Sequence, residues 1–235
     1  MLWFKAWLET RWRFGLIVGM ILLAWLAPLW LRSFHLRLPP GVAASRIWLG
    51  VHLGSLIIYV YSAIFLAGSG INSQTTYGAT SGFHGSMLFT LSLPVSRRRL
   101  LFVRAGLGAI QTSVLVAIMV GYTLLQRPES TSALQALVFL TRSIVCTMAI
   151  YASSVLLACL LDEMWQIMAG FMCWIAVLAL GFKFNAVARI SPLRGMSLIS
   201  YPIAAPMPWT PLAASLVFAG VLLCASVLVL QRKEF

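Results

Sequence analysis

The sequence predicts an all-α integral membrane protein with six transmembrane helices, and composition and pattern both lead to this. Of its 235 residues, 61% are hydrophobic and only 9% are charged, whereas soluble domains are about 45–50% apolar and about 25% charged. The apolar residues fall in runs of roughly the 20 residues that a helix needs to cross a bilayer. These runs lack the alternation of apolar and polar residues that transmembrane β-strands show.

Residues 1–13 predict an amphipathic helix that lies in the membrane interface. Trp3, Trp7 and Trp12 contribute to its apolar face, and charged residues that recur at every fourth position form the other face: Lys5, Glu9 and Arg13. This spacing allows ion pairs along a helix, and tryptophan on the apolar side is typical of interfacial helices. We therefore expect the three tryptophans to anchor this segment at the membrane surface.

Six apolar runs follow, and each is long enough to span the membrane. The predicted spans are residues 14–31, 47–67, 105–125, 134–161, 164–182 and 209–230. Residues 183–208, which contain four of the ten prolines, form a long loop before the last span. The whole chain, 1–235, is expected to be a single transmembrane domain.

The distribution of basic residues bears on orientation and on partners. The net charge is +12, but the lysines and arginines mostly flank apolar runs, as topology signals and contacts to lipid head groups do. An even number of spans puts both termini on one side, and that side carries nine basic residues against seven on the other. We therefore expect cytoplasmic termini, membrane lipids as partners, and no nucleic acid.

The sequence offers little for catalysis. There is no GxxxxGK[ST] loop for ATP, no HExxH and no GxSxG. The four cysteines lie inside apolar runs without metal-ligand spacing: Cys146, Cys159, Cys173 and Cys224. No span carries the Asp or Glu that ion-coupled carriers usually have. We expect neither an enzyme nor a metal site.

Arg142 is the exception within the predicted spans, because an ionisable residue inside a membrane suggests function. It lies about eight residues from one end of its span, roughly 12 Å at the rise of an α-helix. Its side chain could therefore extend to the lipid head groups. The alternative is that Arg142 lines a path for a translocated substrate.

Residues 82–104, GFHGSMLFTLSLPVSRRRLLFVR, combine a short amphipathic piece with a basic helix start. On a helix Phe83, Met87 and Leu91 lie one above another. Pro94 is expected to end this helical piece, because a proline disfavours the helical conformation in the residue before it. Ser96 can cap the next helix, so a cluster of arginines falls in its first turn: Arg97, Arg98 and Arg99. The helix dipole favours anions there, so these arginines are expected to anchor the chain to the membrane surface or to an acidic partner.

The segment LSLPVSR at 91–97 resembles the LPVSR-type segment of the type-2 permease family of ATP-binding cassette (ABC) transporters, the membrane subunits of exporters. The charged amphipathic start, the six spans, the break at Asp162 and the basic end agree with this resemblance. It implies that residues 1–13 are an elbow helix, that 82–93 are a cytoplasmic coupling helix between spans 2 and 3, and that 183–208 are an outer loop.

The resemblance also implies partners. A separate ATPase subunit would bind ATP and Mg²⁺, while this chain holds no cofactor. The residues expected to dock into that ATPase are Phe83, His84, Met87, Leu88, Leu91, Leu93 and Pro94. Two permease subunits, identical or different, and two ATPases would form an exporter in the cytoplasmic membrane for an unidentified substrate.

Two alternatives stay open on the sequence. A haem-export-type permease would have a histidine and tryptophan cluster outside the membrane, for which His35, Trp30 and Trp48 are the nearest candidates. A six-span structural or assembly protein would have no transport activity of its own.

Overall fold

The computed structural model describes residues 2–33, 40–67, 97–125, 131–161, 163–198, 200–203 and 205–232. All regular structure in these ranges is helical, which confirms the predicted all-α class. The helices are α1 (Leu2–Ser33), α2 (Pro40–Ala67), α3 (Arg97–Leu125), α4 (Ala133–Leu160), α5 (Glu163–Lys183), α6 (Asn185–Ile190), α7 (Pro192–Met196) and α8 (Trp209–Arg232).

Four of the described helices are long and apolar enough to cross a membrane: Leu101–Leu125, Ala133–Leu160, Met164–Lys183 and Trp209–Arg232. Their bounds agree closely with the last four predicted spans. Large apolar side chains on α5 and α8 are exposed, among them Met172, Ile175 and Val217. Contiguous exposed apolar surface of this kind indicates contact with lipid or another protein, so the chain is consistent with a membrane protein, and the count of six spans stays a prediction.

Helix α4 lies at the centre of the bundle and packs against α2, α3, α5, α7 and α8. Its buried face contributes Phe139, Ile150 and Val155 to the core. Tyr151 donates a hydrogen bond of 2.8 Å to the carbonyl of Ala105, and its hydroxyl lies against Gly108, where a Cβ would collide with it. A glycine at position 108 therefore allows α3 to approach α4 closely.

Helix α1 differs from the expected pair of an interfacial helix and a span, because it continues unbroken from Leu2 to Ser33. Ala6, Thr10 and Ile17 are buried, and they fall on one face of a helix because they are four and seven residues apart. This buried stripe crosses the predicted boundary at residue 13. A helix that packs through the same face on both sides of a boundary has no local reason to end there.

The helix starts have local causes. The described part of helix α3 begins at Arg97, and Arg98 and Arg99 follow in the same helix. Helix α4 begins with a capping box, which was not predicted from the sequence. The Ser132 hydroxyl accepts a hydrogen bond from the backbone N–H of Gln135 at 3.3 Å, and the side-chain oxygen of Gln135 accepts one from the backbone N–H of Ser132 at 3.1 Å. These two bonds satisfy backbone donors that a helix start leaves unpaired.

The expected outer loop, 183–208, is partly helical and partly buried. Helix α6 is largely exposed, whereas α7 is buried against α4 and α8. A Cβ at Gly195 would lie 2.6 Å from the Cys146 sulfur and 3.5 Å from Pro211 Cβ. A side chain at position 195 would therefore push α7 away from the bundle.

Candidate functional site: a buried arginine and the cavity beside it

The predicted coupling residues lie outside the described residues: Phe83, His84, Met87, Leu88, Leu91, Leu93 and Pro94. The ends of the two helices on either side of them are described. Phe65, near the end of α2, accepts a hydrogen bond of 3.4 Å from Arg13 Nη1 through its carbonyl, and its ring lies 5.3 Å from the Arg13 guanidinium carbon. The end of α2 therefore lies beside the early turns of α1.

The start of α3 lies at this same end of the bundle, which we call the terminal end. Arg98 and Arg99 are exposed there. When the Gln231 amide is oriented by its hydrogen bonding, its oxygen accepts from Arg98 Nη2 at 2.7 Å. Because Gln231 is in the last turn of α8, this contact places the end of α8 beside the start of α3. The Trp3 ring, which lies against Gly106, places the start of α1 beside the early turns of α3. Arg97 starts α3 at the same place.

The three tryptophans do not share one face of α1, and their anchoring role at the membrane surface stays a prediction. Trp3 and Trp12 are nine residues apart, which places them about 180° around a helix. The Trp3 ring contacts α3, where it lies 3.4 Å from the position that a Cβ of residue 106 would take. The Trp7 ring packs in a tilted arrangement against Phe14, with 6.0 Å between the ring centroids. Trp12 is 78% exposed, so it alone faces fully outward.

Two glutamines connect the helices in the terminal half of the bundle. Gln111 Nε2 donates to Thr10 Oγ1 at 2.9 Å and joins α3 to α1. Gln166 Nε2 donates to the Ile64 carbonyl at 3.1 Å and joins α5 to α2. Neither glutamine was predicted to have a role. An amide inside an apolar run is nevertheless a signal, because such a group is costly to bury without a hydrogen-bond partner.

Arg142 lies in the other half of the bundle and is fully buried, with 0% of its surface exposed. Its Nη2 donates to the Tyr201 carbonyl at 2.5 Å and its Nη1 to the Pro202 carbonyl at 3.3 Å. Its guanidinium carbon lies 4.8 Å from the centre of the Phe139 ring, within the range of a cation–π interaction. The guanidinium therefore binds α4 to the segment between α7 and α8.

This geometry contradicts the interpretation in which Arg142 extends to the lipid head groups. The side chain points into the protein because two backbone carbonyls and an aromatic ring take the place of water around the charge. Chemically, an arginine in this setting can hold a loop or an anion, but it does not transfer protons.

A cavity of about 450 Å³ lies between α2, α5 and the segment from α6 to residue 200. Helices α2 and α5 provide an apolar wall: Leu56, Val177, Leu178, Gly181 and Phe182. The wall formed by residues 185–200 contains every polar lining residue: Asn185, Ser191, Arg194, Ser197 and Ser200. Ala188 and Leu193 complete that wall. The volume is within the range of small-molecule sites, roughly 300–1,000 Å³. No sequence pattern predicted this cavity.

Metal chemistry has no support in the part of the chain that the structure describes, where no group of three or more His, Cys, Asp or Glu side chains could hold an ion. None of the four cysteines, all of which lie in the described part of the chain, forms a disulfide bond. Cys146 and Cys159 are buried, as apolar packing residues are, whereas Cys173 and Cys224 are exposed.

Comparisons with known proteins do not assign a family. The chain matches no protein-family model, and searches of curated proteins and of solved structures find no match. Its function is therefore proposed from its own residues and their geometry.

Proposed function

We propose that the chain is the membrane-spanning permease subunit of an ABC-type exporter, in which a separate ATPase subunit supplies the energy. The observation that carries the proposal is the segment LSLPVSR at 91–97, whose last residue, Arg97, is the first residue of α3. The position of this segment also supports the proposal. Residues 68–96 connect the end of α2 to the start of α3, and both of these helix ends lie at the terminal end of the bundle.

The proposed mechanism uses α3 as a rigid lever. ATP binding draws the two ATPases together, and Phe83, Met87 and Leu91 move with the ATPase surface. Pro94 and the arginine cluster pass this movement to α3. A helix of 29 residues is roughly 43 Å long, so it transmits a displacement of its first turn through the bundle to the opposite end. The close approach at Gly108 couples α3 to α4.

The other subunits and the setting follow from this proposal. The chain resides in the cytoplasmic membrane with both termini in the cytoplasm, and a second permease subunit completes the transport unit. Exposed apolar surface on α5 and α8 would contact lipid or that second subunit. ATP and Mg²⁺ bind to the ATPase, and this chain provides no catalytic residue.

The test is isolation of the chain with its ATPase, followed by a single-residue comparison. The tagged chain, purified from its native membrane in mild detergent, is expected to bring with it an ATPase with Walker motifs. Met87→Asp should abolish this association and the coupled ATP hydrolysis, because a buried charge at the contact has no partner.

Ser86→Asp is the matched control, since it adds the same charge one residue earlier, about 100° around a helix. It should retain most of the association. Equal loss in both variants, or isolation of the chain without any nucleotide-binding protein, would exclude the permease proposal. In the second case a structural six-span protein becomes the better account.

A further inference from the structure

We propose that the cavity between α2, α5 and residues 185–200 binds an anionic amphiphile, a molecule with an apolar chain and a negatively charged head group. This inference does not depend on the permease proposal, because the chain alone forms the cavity. It rests on three properties of the cavity: the different chemistry of its two walls, the positive charge of the polar wall, and the position of the cavity along the apolar part of α5.

The two walls differ in chemistry. From α2 and α5 only apolar groups reach the cavity, and Leu178 and Phe182 are two of them. Residues 185–200 line the cavity with Arg194, Asn185 and Ser191, whose side chains carry a guanidinium, an amide and a hydroxyl. A ligand with one apolar and one polar part can satisfy both walls at once, whereas a purely apolar ligand would leave polar groups without partners, which is costly.

The positive charge of the polar wall favours a ligand with a negative charge. The sequence has no Asp or Glu between Glu163 and Glu234, while Lys183, Arg189 and Arg194 fall in the stretch that forms α6, α7 and the end of α5. Arg194 is the lining residue among these three cations. A guanidinium can bind a phosphate or carboxylate with two parallel hydrogen bonds.

The depth of the cavity fits a membrane amphiphile. The candidate span of α5 ends at Lys183, and the lining residues Val177 and Phe182 precede that end by six and one positions. This distance is roughly 9 Å of helix at most, so the cavity lies where acyl chains give way to head groups. Phe182 is 86% exposed and therefore marks the open side of the cavity, through which a lipid could enter from the bilayer.

The experiment measures binding of radiolabelled lysophosphatidylglycerol to the purified full-length chain in non-ionic detergent, without any ATPase. We expect saturable binding, and lysophosphatidylcholine should compete at least tenfold less well because its head group has no net charge. Arg194→Gln should weaken binding about tenfold or more, as loss of a hydrogen bond between charged groups does. Arg194→Lys should recover part of the affinity.

Arg189→Gln is the matched control, because it removes the same charge from the same segment at an exposed position outside the cavity. Its affinity should stay within twofold of that of the unchanged chain. Ala188→Leu, which adds volume inside the cavity, should lower the number of sites occupied while leaving the melting temperature of the chain unchanged.

Four results would overturn the proposal. Equal weakening by Arg194→Gln and Arg189→Gln would indicate general attraction to a basic surface. Full competition by inorganic phosphate would indicate an anion site without a chain-binding part. Equal binding of the two lysolipids by the unchanged chain would remove the role of charge, and a change of oligomeric state in Ala188→Leu would mean that a second copy covers the cavity.

Discussion

Replacing Arg142 with methionine should release the segment between α7 and α8 from the bundle. The guanidinium donates to the carbonyls of Tyr201 and Pro202, and methionine keeps a long side chain but removes both donors. Hydrogen bonds to a charged group contribute about 1.5–3 kcal/mol each. The lower values add to about 3 kcal/mol, which multiplies the population of the locally open segment by roughly 100, since about 1.4 kcal/mol is a factor of ten.

The global free energy of unfolding should change less than this. A buried cation has a desolvation cost of several kcal/mol, and removing the charge removes that cost as well. The measurement that separates the two effects is hydrogen–deuterium exchange of the full chain in detergent. The amides to follow are Tyr201, which donates to the Ser197 carbonyl at 3.0 Å, and Ala205, which donates to the Pro202 carbonyl at 3.0 Å.

The expected result is faster exchange in peptides that cover residues 197–205 and unchanged exchange in peptides of α4, because the opening is local. Arg189→Met is the control, since it makes the same substitution at an exposed arginine. Phe139→Leu should have a smaller effect than Arg142→Met, because it removes only the ring beneath the charge. Unchanged exchange over 197–205 in Arg142→Met would refute the role assigned to this arginine.

Three further predictions concern packing and topology. A double-mutant cycle of Thr10→Val and Gln111→Leu should give a coupling energy of about 1 kcal/mol in unfolding by sodium dodecyl sulfate, and additive effects would mean that the bond at 2.9 Å does not join α1 to α3. Gly195→Ala should destabilise the chain by about 1–3 kcal/mol, and adding Cys146→Ala should relieve this loss of stability. Gly220→Ala is the control and should be neutral or stabilising, because position 220 has no neighbouring atom within 4 Å. Alkaline phosphatase should be inactive when fused after Phe235 and active when inserted between α3 and α4, and activity at both places would contradict the expected orientation.

The helices of the second half of the chain could be predicted from the sequence, because uninterrupted apolar runs of span length have few alternatives to a helix. Pro94 and Ser96 also predict a helix start close to Arg97, the first described residue of α3. The continuity of α1 was not predictable. It depends on Ala6 and Thr10 packing against other helices, and hydropathy along one segment contains no information about that contact.

The candidate site was predictable only in part. Arg142 was identified because a charge in an apolar run is conspicuous, but the direction of its side chain depends on carbonyls about 60 positions later in the chain. The cavity arises where Leu56 of α2 meets α5 and residues 185–200, so no local pattern encodes it. The glutamines at 111 and 166 could have been singled out by the cost of burying an amide, although their partners could not.

Crosslinking from position 83 tests most directly whether residues 82–93 dock into an ATPase, as we propose. A photoreactive benzoylphenylalanine in place of Phe83 is activated in intact cells, and its adduct is identified by mass spectrometry. We expect a covalent adduct with a protein that carries Walker motifs, and a much weaker one when the same group replaces Ser86. Adducts at position 83 with lipid alone, or with a second copy of this chain, would contradict the claim.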